Sequence, residues 1–369
     1  MLGILSPELR FSVGVDYWPR SSALEMWRRF DAGAIAEDFA RIAALGLDTV
    51  RIFLRWTDFA AGGATNPVAL DRLETVTALA AERGLQVIPS VFWLERPGNI
   101  YAGPLLDVQA ALARDAGERL RGHAALRAWD IGHAFSDVRE PARGRVSTGD
   151  HGSVPAAERE VAAWSTRLTQ AYQAASGVGT TAGTTSGDLT HDRNLRLGSL
   201  CVPFAFASMQ GSNLVLPFAR GDDDPEAVPF VAMLAAAFSF KPVFFTGLSA
   251  PWLDDEDAAR YCGVVLERLH ADGRLGAAWW SWSDYPPELR EQPPFDRAPH
   301  ELVSGILRAD GSEKPVAAVL SAFAREGREV VPADDMPMIS STYYYRTLPT
   351  SMTTLYDAFL DFVSARRGG

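Results

Sequence analysis

The stretch "AIAEDFARIAALGLDTVRIFLRW" (residues 34–56) decides the fold. Its first half repeats apolar residues at helical spacing, Ile35, Phe39 and Ile42, and stops at Gly46. Its second half, from Asp48 to Trp56, is dense in β-branched and aromatic residues and reads as a strand. A helix running straight into a buried strand is half of a βαβ unit, and that half-unit recurs along the chain. "FSVGVDYW" (Phe11–Trp18) comes before it. After it come "LQVIPSVFW" (Leu85–Trp93), "LRAWDIG" (Leu126–Gly132) and the weaker "GVGTTAGTT" (Gly177–Thr185). "PFAFASMQ" (Pro203–Gln210), "PVFFTGL" (Pro242–Leu248) and "GAAWWSWSD" (Gly276–Asp284) complete the set.

Eight strand candidates separated by helical patterns, mostly roughly 35–40 residues apart, predict an α/β fold, a (β/α)8 TIM barrel of ordinary size. Near-continuous apolar runs are what parallel strands buried on both faces require. The fifth unit is the weakest, because "THDRNLRLGS" (Thr190–Ser199) makes a poor helix. A doubly wound open sheet is the rival, but "GVDYWP" after the first strand is too bulky for a glycine-rich phosphate turn. The barrel is expected to occupy residues 1–325. From residue 326 a Pro/Asp/Met-rich linker leads into an amphipathic helix, Ser351 to about Ala365, read as a short C-terminal extension packed on the barrel.

The chain has 369 residues, 47% of them hydrophobic and 22% charged, with a net charge of -11. That balance, with no long basic run, argues against nucleic acid and anionic membrane as partners. The start "MLGILSPELRF" lacks the pattern of a secretory signal, and no stretch approaches the ~18 apolar residues of a membrane span, so the expected location is cytoplasmic. Cys201 and Cys262 stand far apart and read as two buried thiols. The histidines show no ligand spacing, and "GDDDPE" (Gly221–Glu226) reads as a helix cap rather than a calcium loop. No metal and no cofactor are expected.

Barrels of this kind bind ligands at the C-terminal ends of their strands. The residues expected there are Asp16 and Trp18, Arg51 and Trp56, Trp93, His133, Gln210, and then Trp280, Trp282 and Asp284. Aromatic faces among hydrogen-bonding side chains suit a sugar, whose C–H face stacks while its hydroxyls need fixed partners. Strand alternation puts Trp280 and Trp282 on one face and Trp279 on the other, which makes the first two the platform candidates.

Five segments then resemble one family: "GVDYWPR" with "MWRRFD", "DTVRIFLRW", "KPVFFTG", "WWSWSDY" and "GILRADGSEKP". They are similar to the clan A retaining glycoside hydrolases, in the family 5 cellulase and mannanase neighbourhood, from about Phe11 to Phe323. The resemblance implies an Asn-Glu pair after the fourth strand, the glutamate being the general acid/base. It implies a glutamate nucleophile ending the seventh strand, with Arg51 beneath it, and asparagine where Asp16 stands. This chain has His133 and Ala134 at the first position and Gly247 at the second. Retaining hydrolysis needs two carboxylates about 5–5.5 Å apart, and neither alanine nor glycine can attack or transfer a proton.

The expectation is therefore a catalytically degenerate barrel, a pseudoenzyme without catalytic residues, that binds a carbohydrate or a protein partner. One alternative is an active β-glycosidase using other carboxylates, from among Asp16, Glu95, Asp137 and Asp284. Another is a non-catalytic subunit of an active paralogue, its mouth filled by large side chains such as Phe135. Arg51 leaves two readings open. It pairs internally with Asp16 or Asp130, or it meets an anionic ligand such as a carboxylated or phosphorylated sugar.

Overall fold

All eight strand candidates are strands, and they pair in parallel, each with the next and the last with the first, into a closed barrel. The computed structural model describes residues 9–92, 99–133, 156–190, 196–211, 216–292, 295–296, 298–331, 339, 344 and 351–368. In chain order the elements are β1 Ser12–Tyr17, α1 Ala32–Ala44, β2 Thr49–Arg55, α2 Trp56–Phe59, α3 Pro67–Glu82, β3 Gln86–Phe92, α4 Gly103–Arg119 and β4 Trp129–His133. There follow α5 Ala156–Ser176, β5 Thr180–Thr185, α6 Ser186–Thr190, α7 Leu197–Leu200, β6 Ala207–Gln210, α8 Ala227–Ser239, β7 Val243–Leu248 and α9 Asp255–Ala271. β8 Gly276–Trp280, α10 Pro315–Glu326 and α11 Met352–Gly368 close the chain.

The opening stretch folds as its pattern demands. Asp31 caps α1 by accepting from the Ala34 amide, and Ile35, Phe39 and Ile42 form the buried stripe. Gly46, at φ +84°, turns the chain into β2, where all seven residues are buried. Asn66 and Asp254 cap α3 and α9 in the same way as Asp31. In the fifth crossover the described parts are two short helical pieces, α6 and α7.

Helix α8 is buried nearly all round, which one barrel face alone would not cause. Its outer side lies under α11, where Tyr356 and Phe359 pack against Phe230, with Phe218 beside Tyr356. Burial of each such ring contributes roughly 1.5–3 kcal/mol. The Tyr356 hydroxyl donates to Asp224 at 2.7 Å, inside the "GDDDPE" turn, whose Asp224 also accepts from the Arg220 and Glu226 amides. Among the described residues, no helix is long and apolar enough to cross a membrane.

Candidate functional site

The register of β1 and β2 sets Asp16 beside Arg51, and β1 pairs Asp16 on its other side with Trp280. β3 and β4 bring Ser90 level with Asp130. Four strands thus turn polar side chains into the barrel at one height, where Arg51 is 1%, Asp16 0% and Asp130 1% exposed. Isolated charges at that depth would be costly, and the cluster shows how they are held.

Arg51 Nη2 donates to Asp130 Oδ2 at 2.6 Å, and Nε donates to the same oxygen at 3.1 Å. Asp130 also accepts from the Ser90 hydroxyl at 2.7 Å and from the Gly132 and Gly183 amides at 3.0 Å each. Asp16 is held more loosely, 3.4 and 3.5 Å from Arg51 Nη1, with the Gly247 amide near enough to favour its charged form. Burial drives the Asp16 carboxyl up to about 7, against the pull of Arg51 and with the help of the Asp130 charge. Arg51 Nη2 also lies 2.8 Å from His133 Nδ1. A guanidinium only donates, so Nδ1 carries the lone pair and the His133 proton sits on Nε2. Burial and the Arg51 charge push the imidazole well below its usual range, which keeps it neutral.

Above this layer the strand ends form a half-buried rim: Phe92 from β3, His133 from β4, Thr185 from β5, Gln210 from β6, Gly247 from β7 and Trp280 from β8. Trp280 stacks on His133 with ring centres 5.7 Å apart and planes 10° apart. Phe53 lies beneath, edge-on to Phe92, His133 and Trp280 at 5.6, 5.1 and 5.4 Å. Trp18 stacks on Phe53 at 5.2 Å. The Trp280 indole N–H donates to Glu301, on the turn Pro299–Val303. Gln210 Oε1 and Trp18 Nε1 are buried without a hydrogen-bond partner among the described residues.

Asp16, Trp18, Arg51, His133, Gln210, Gly247 and Trp280 are thus brought together at one end of the barrel. Three expected residues are not. Trp282 was placed with Trp280 by alternation, but β8 ends at Trp280, so the alternation does not extend to it. It is fully buried instead, 5.7 Å beneath the Arg41 guanidinium of α1. Asp284 accepts from Lys314 Nζ and the Gly305 amide, both at 2.8 Å, and ties the segment after β8 to the start of α10. Trp56 opens α2, directly after β2, and is buried. Trp93 and Ala134 lie outside the described residues, as do Glu95, Phe135 and Asp137.

The electropositive floor that would suit a carboxylated or phosphorylated sugar is not formed, because two carboxylates already face Arg51. Sequence reasoning passed over Ser90, Phe53 and Phe92, which read as ordinary strand interior. Glu301 had no signal at all, since it meets Trp280 from a turn 21 positions away.

No protein-family profile matches the chain, and no curated protein matches it. Solved structures do. A GH5_18 protein from Streptomyces cattleya in complex with GlcNAc aligns with a TM-score of 0.80 at 19% identity, over 97% of this chain and 92% of that one. A GH5_18 protein from Bifidobacterium longum in complex with Manb1-4GlcNAc gives 0.75 at 21% identity, over 88% and 80%. An exo-beta-1,4-mannosidase from Opitutaceae bacterium strain TAV5 gives 0.73 at 24% identity, over 87% and 62%. At these identities the likeness is one of fold.

Proposed function

We propose that this chain is a glycoside-hydrolase-like barrel of clan A type that binds carbohydrate at its mouth without cleaving it. The observation that carries the reading is the split between two layers. The described rim offers aromatic faces, an imidazole, a hydroxyl and an amide, which are groups that stack on and hydrogen-bond a neutral sugar. The carboxylates sit one layer lower, buried and bound to a single arginine.

Neither Asp16 nor Asp130 can serve as nucleophile or acid while buried and paired with Arg51. Glu301 is the one carboxylate among the described residues that meets the rim, it is already engaged by Trp280 and His300, and hydrolysis by either stereochemical route needs a pair. The loss of a glutamate at Ala134 and Gly247, implied by the family resemblance, agrees with this. The fold neighbours that hold GlcNAc and Manb1-4GlcNAc point to amino sugars and β-mannosides as the first ligands to try.

The test is a titration of the purified protein with GlcNAc and Manb1-4GlcNAc, followed by tryptophan fluorescence, beside a turnover assay on aryl β-glycosides. Saturable binding that Trp280→Ala removes, with no turnover, is the expected result. Turnover abolished by substituting Glu95 or Asp137 would overturn the reading in favour of an unconventional glycosidase.

A second reading keeps a specific observation on its side. Trp18, Phe53, Phe92, His133 and Trp280 pack into one another across the side of the mouth that runs from β8 through β1 to β4. A mouth filled this way suits a non-catalytic subunit. Absence of any sugar binding, together with a stable complex with an active paralogue, would favour it.

A further inference from the structure

The floor of the mouth holds one more ionisable group than its charges can balance. Arg51 supplies one positive charge, and Asp16 and Asp130 would supply two negative ones. His133 cannot make up the difference, because its Nδ1 is already the acceptor of an Arg51 N–H. Among the described residues, no other cation pairs with either acid. β3 contributes the neutral Ser90, β7 the Gly247 amide, and the segment after β8 the phenol of Tyr285, itself held protonated by burial. A sealed cluster of net charge minus one is disfavoured, so one carboxyl holds its proton to a higher pH than a solvated carboxyl does.

The two acids are unequal in a way that assigns it. Asp130 has two Arg51 bonds, Ser90 and two backbone amides. Asp16 has only the 3.4 and 3.5 Å contacts and one amide. The proton belongs on Asp16.

We propose that Asp16 is the proton-binding element of a two-position switch in the mouth, linked through Arg51 and His133 to the Trp280 ring. With its proton on, Asp16 leaves Arg51 drawn toward Asp130 and His133, as described. When the proton leaves to bulk solvent, the new charge pulls Arg51 Nη1 in from 3.4 Å, and the same planar guanidinium must loosen its 2.8 Å contact with His133. His133, released from Arg51, is then held only by its ring packing against Phe53 and Phe92, and the face of Trp280 stacked on it at 10° shifts with it while the indole N–H stays on Glu301. The Asp16 carboxyl, lifted by burial to about 7, puts this event near neutrality. The switch does not depend on what the mouth binds.

The experiment is a pH titration of ligand-free protein from about pH 5.5 to about pH 8.5, following tryptophan fluorescence and the protonated-carboxyl infrared band together. The wild type is expected to show a one-proton fluorescence transition near neutrality, with the carboxyl band disappearing over the same range. Trp280→Phe should remove most of the fluorescence transition and leave the infrared change. Asp16→Asn, nearly isosteric, should remove both. A transition that persists in Asp16→Asn overturns the proposal. So does a wild type whose carboxyl band stays constant across the range, a result that needs no variant to fold.

Discussion

Replacing Arg51 by methionine tests the buried cluster most directly, because it keeps most of the side-chain volume and deletes the cation that both acids share. Asp130 Oδ2 would lose both guanidinium donors and keep Ser90, while Asp16 would keep only the Gly247 amide. Breaking a buried pair by removing one partner costs about 3–5 kcal/mol, since an uncompensated charge stays behind. That is the loss expected near pH 5.5, where Asp16 already holds its proton. At higher pH the loss should grow. In the wild type Asp16 gives up its proton at about 7, so this group's contribution levels off above that point. Without Arg51 the carboxyl stays protonated to higher pH, and each further pH unit costs about 1.4 kcal/mol relative to the unfolded chain. Near pH 8.5 the added loss is therefore about 2 kcal/mol, for a total of roughly 5–7, comparable with the whole stability of many domains. Urea denaturation of both proteins at the two pH values measures it. A loss below about 1 kcal/mol at the lower pH, or an equal loss at both, would refute the account of the cluster.

Three other outcomes follow from the same geometry. In the wild type, Asp16 binds its proton more tightly folded than unfolded, so the native state holds more protons between about pH 4 and pH 7. Stability must fall as pH rises across that window, by up to about 4 kcal/mol from this group, and Asp16→Asn should flatten the slope in urea titrations. Lys314→Met leaves Asp284 buried with only the Gly305 amide, and should cost roughly 2–3 kcal/mol by thermal unfolding, largely recovered in the double variant with Asp284→Asn. Tyr356→Phe removes one hydrogen bond to Asp224 while keeping the ring packing, and should cost about 1 kcal/mol.

The barrel was legible because its cause is local and repeated. Each helix carries a 3.6-residue stripe and each strand a short apolar run, so the alternation survives one weak unit such as the fifth. The mouth was legible only where strand ends fix it. Asp16, Arg51, His133 and Gln210 occupy strand interiors or ends, and barrel geometry alone carries them to one place. Trp282 and Asp284 lie past the end of β8, where alternation no longer holds and loop path decides position. Glu301 reaches Trp280 from a turn with no periodic pattern to place it. The pairing of two acids on one arginine also escaped choice by sequence, since spacing offers Asp16 and Asp130 equally and only three-dimensional distances rank them.

Gly247 sits where β7 slips its register against β8, with φ at +67° and its missing Cβ 3.3 Å from that of Gln210. Any side chain there meets both a left-handed backbone, costing about 1–2 kcal/mol, and a neighbour that must move aside. On the proposed reading this gives the loss of the nucleophile a direction in time. A codon change that restored glutamate would be penalised before it could be rewarded, and a second acid on another strand would still be missing. If the mouth binds without cutting, as proposed, substitutions that refine what it holds are open at many positions, whereas a side chain at this one is opposed by the backbone itself, which then acts as the ratchet.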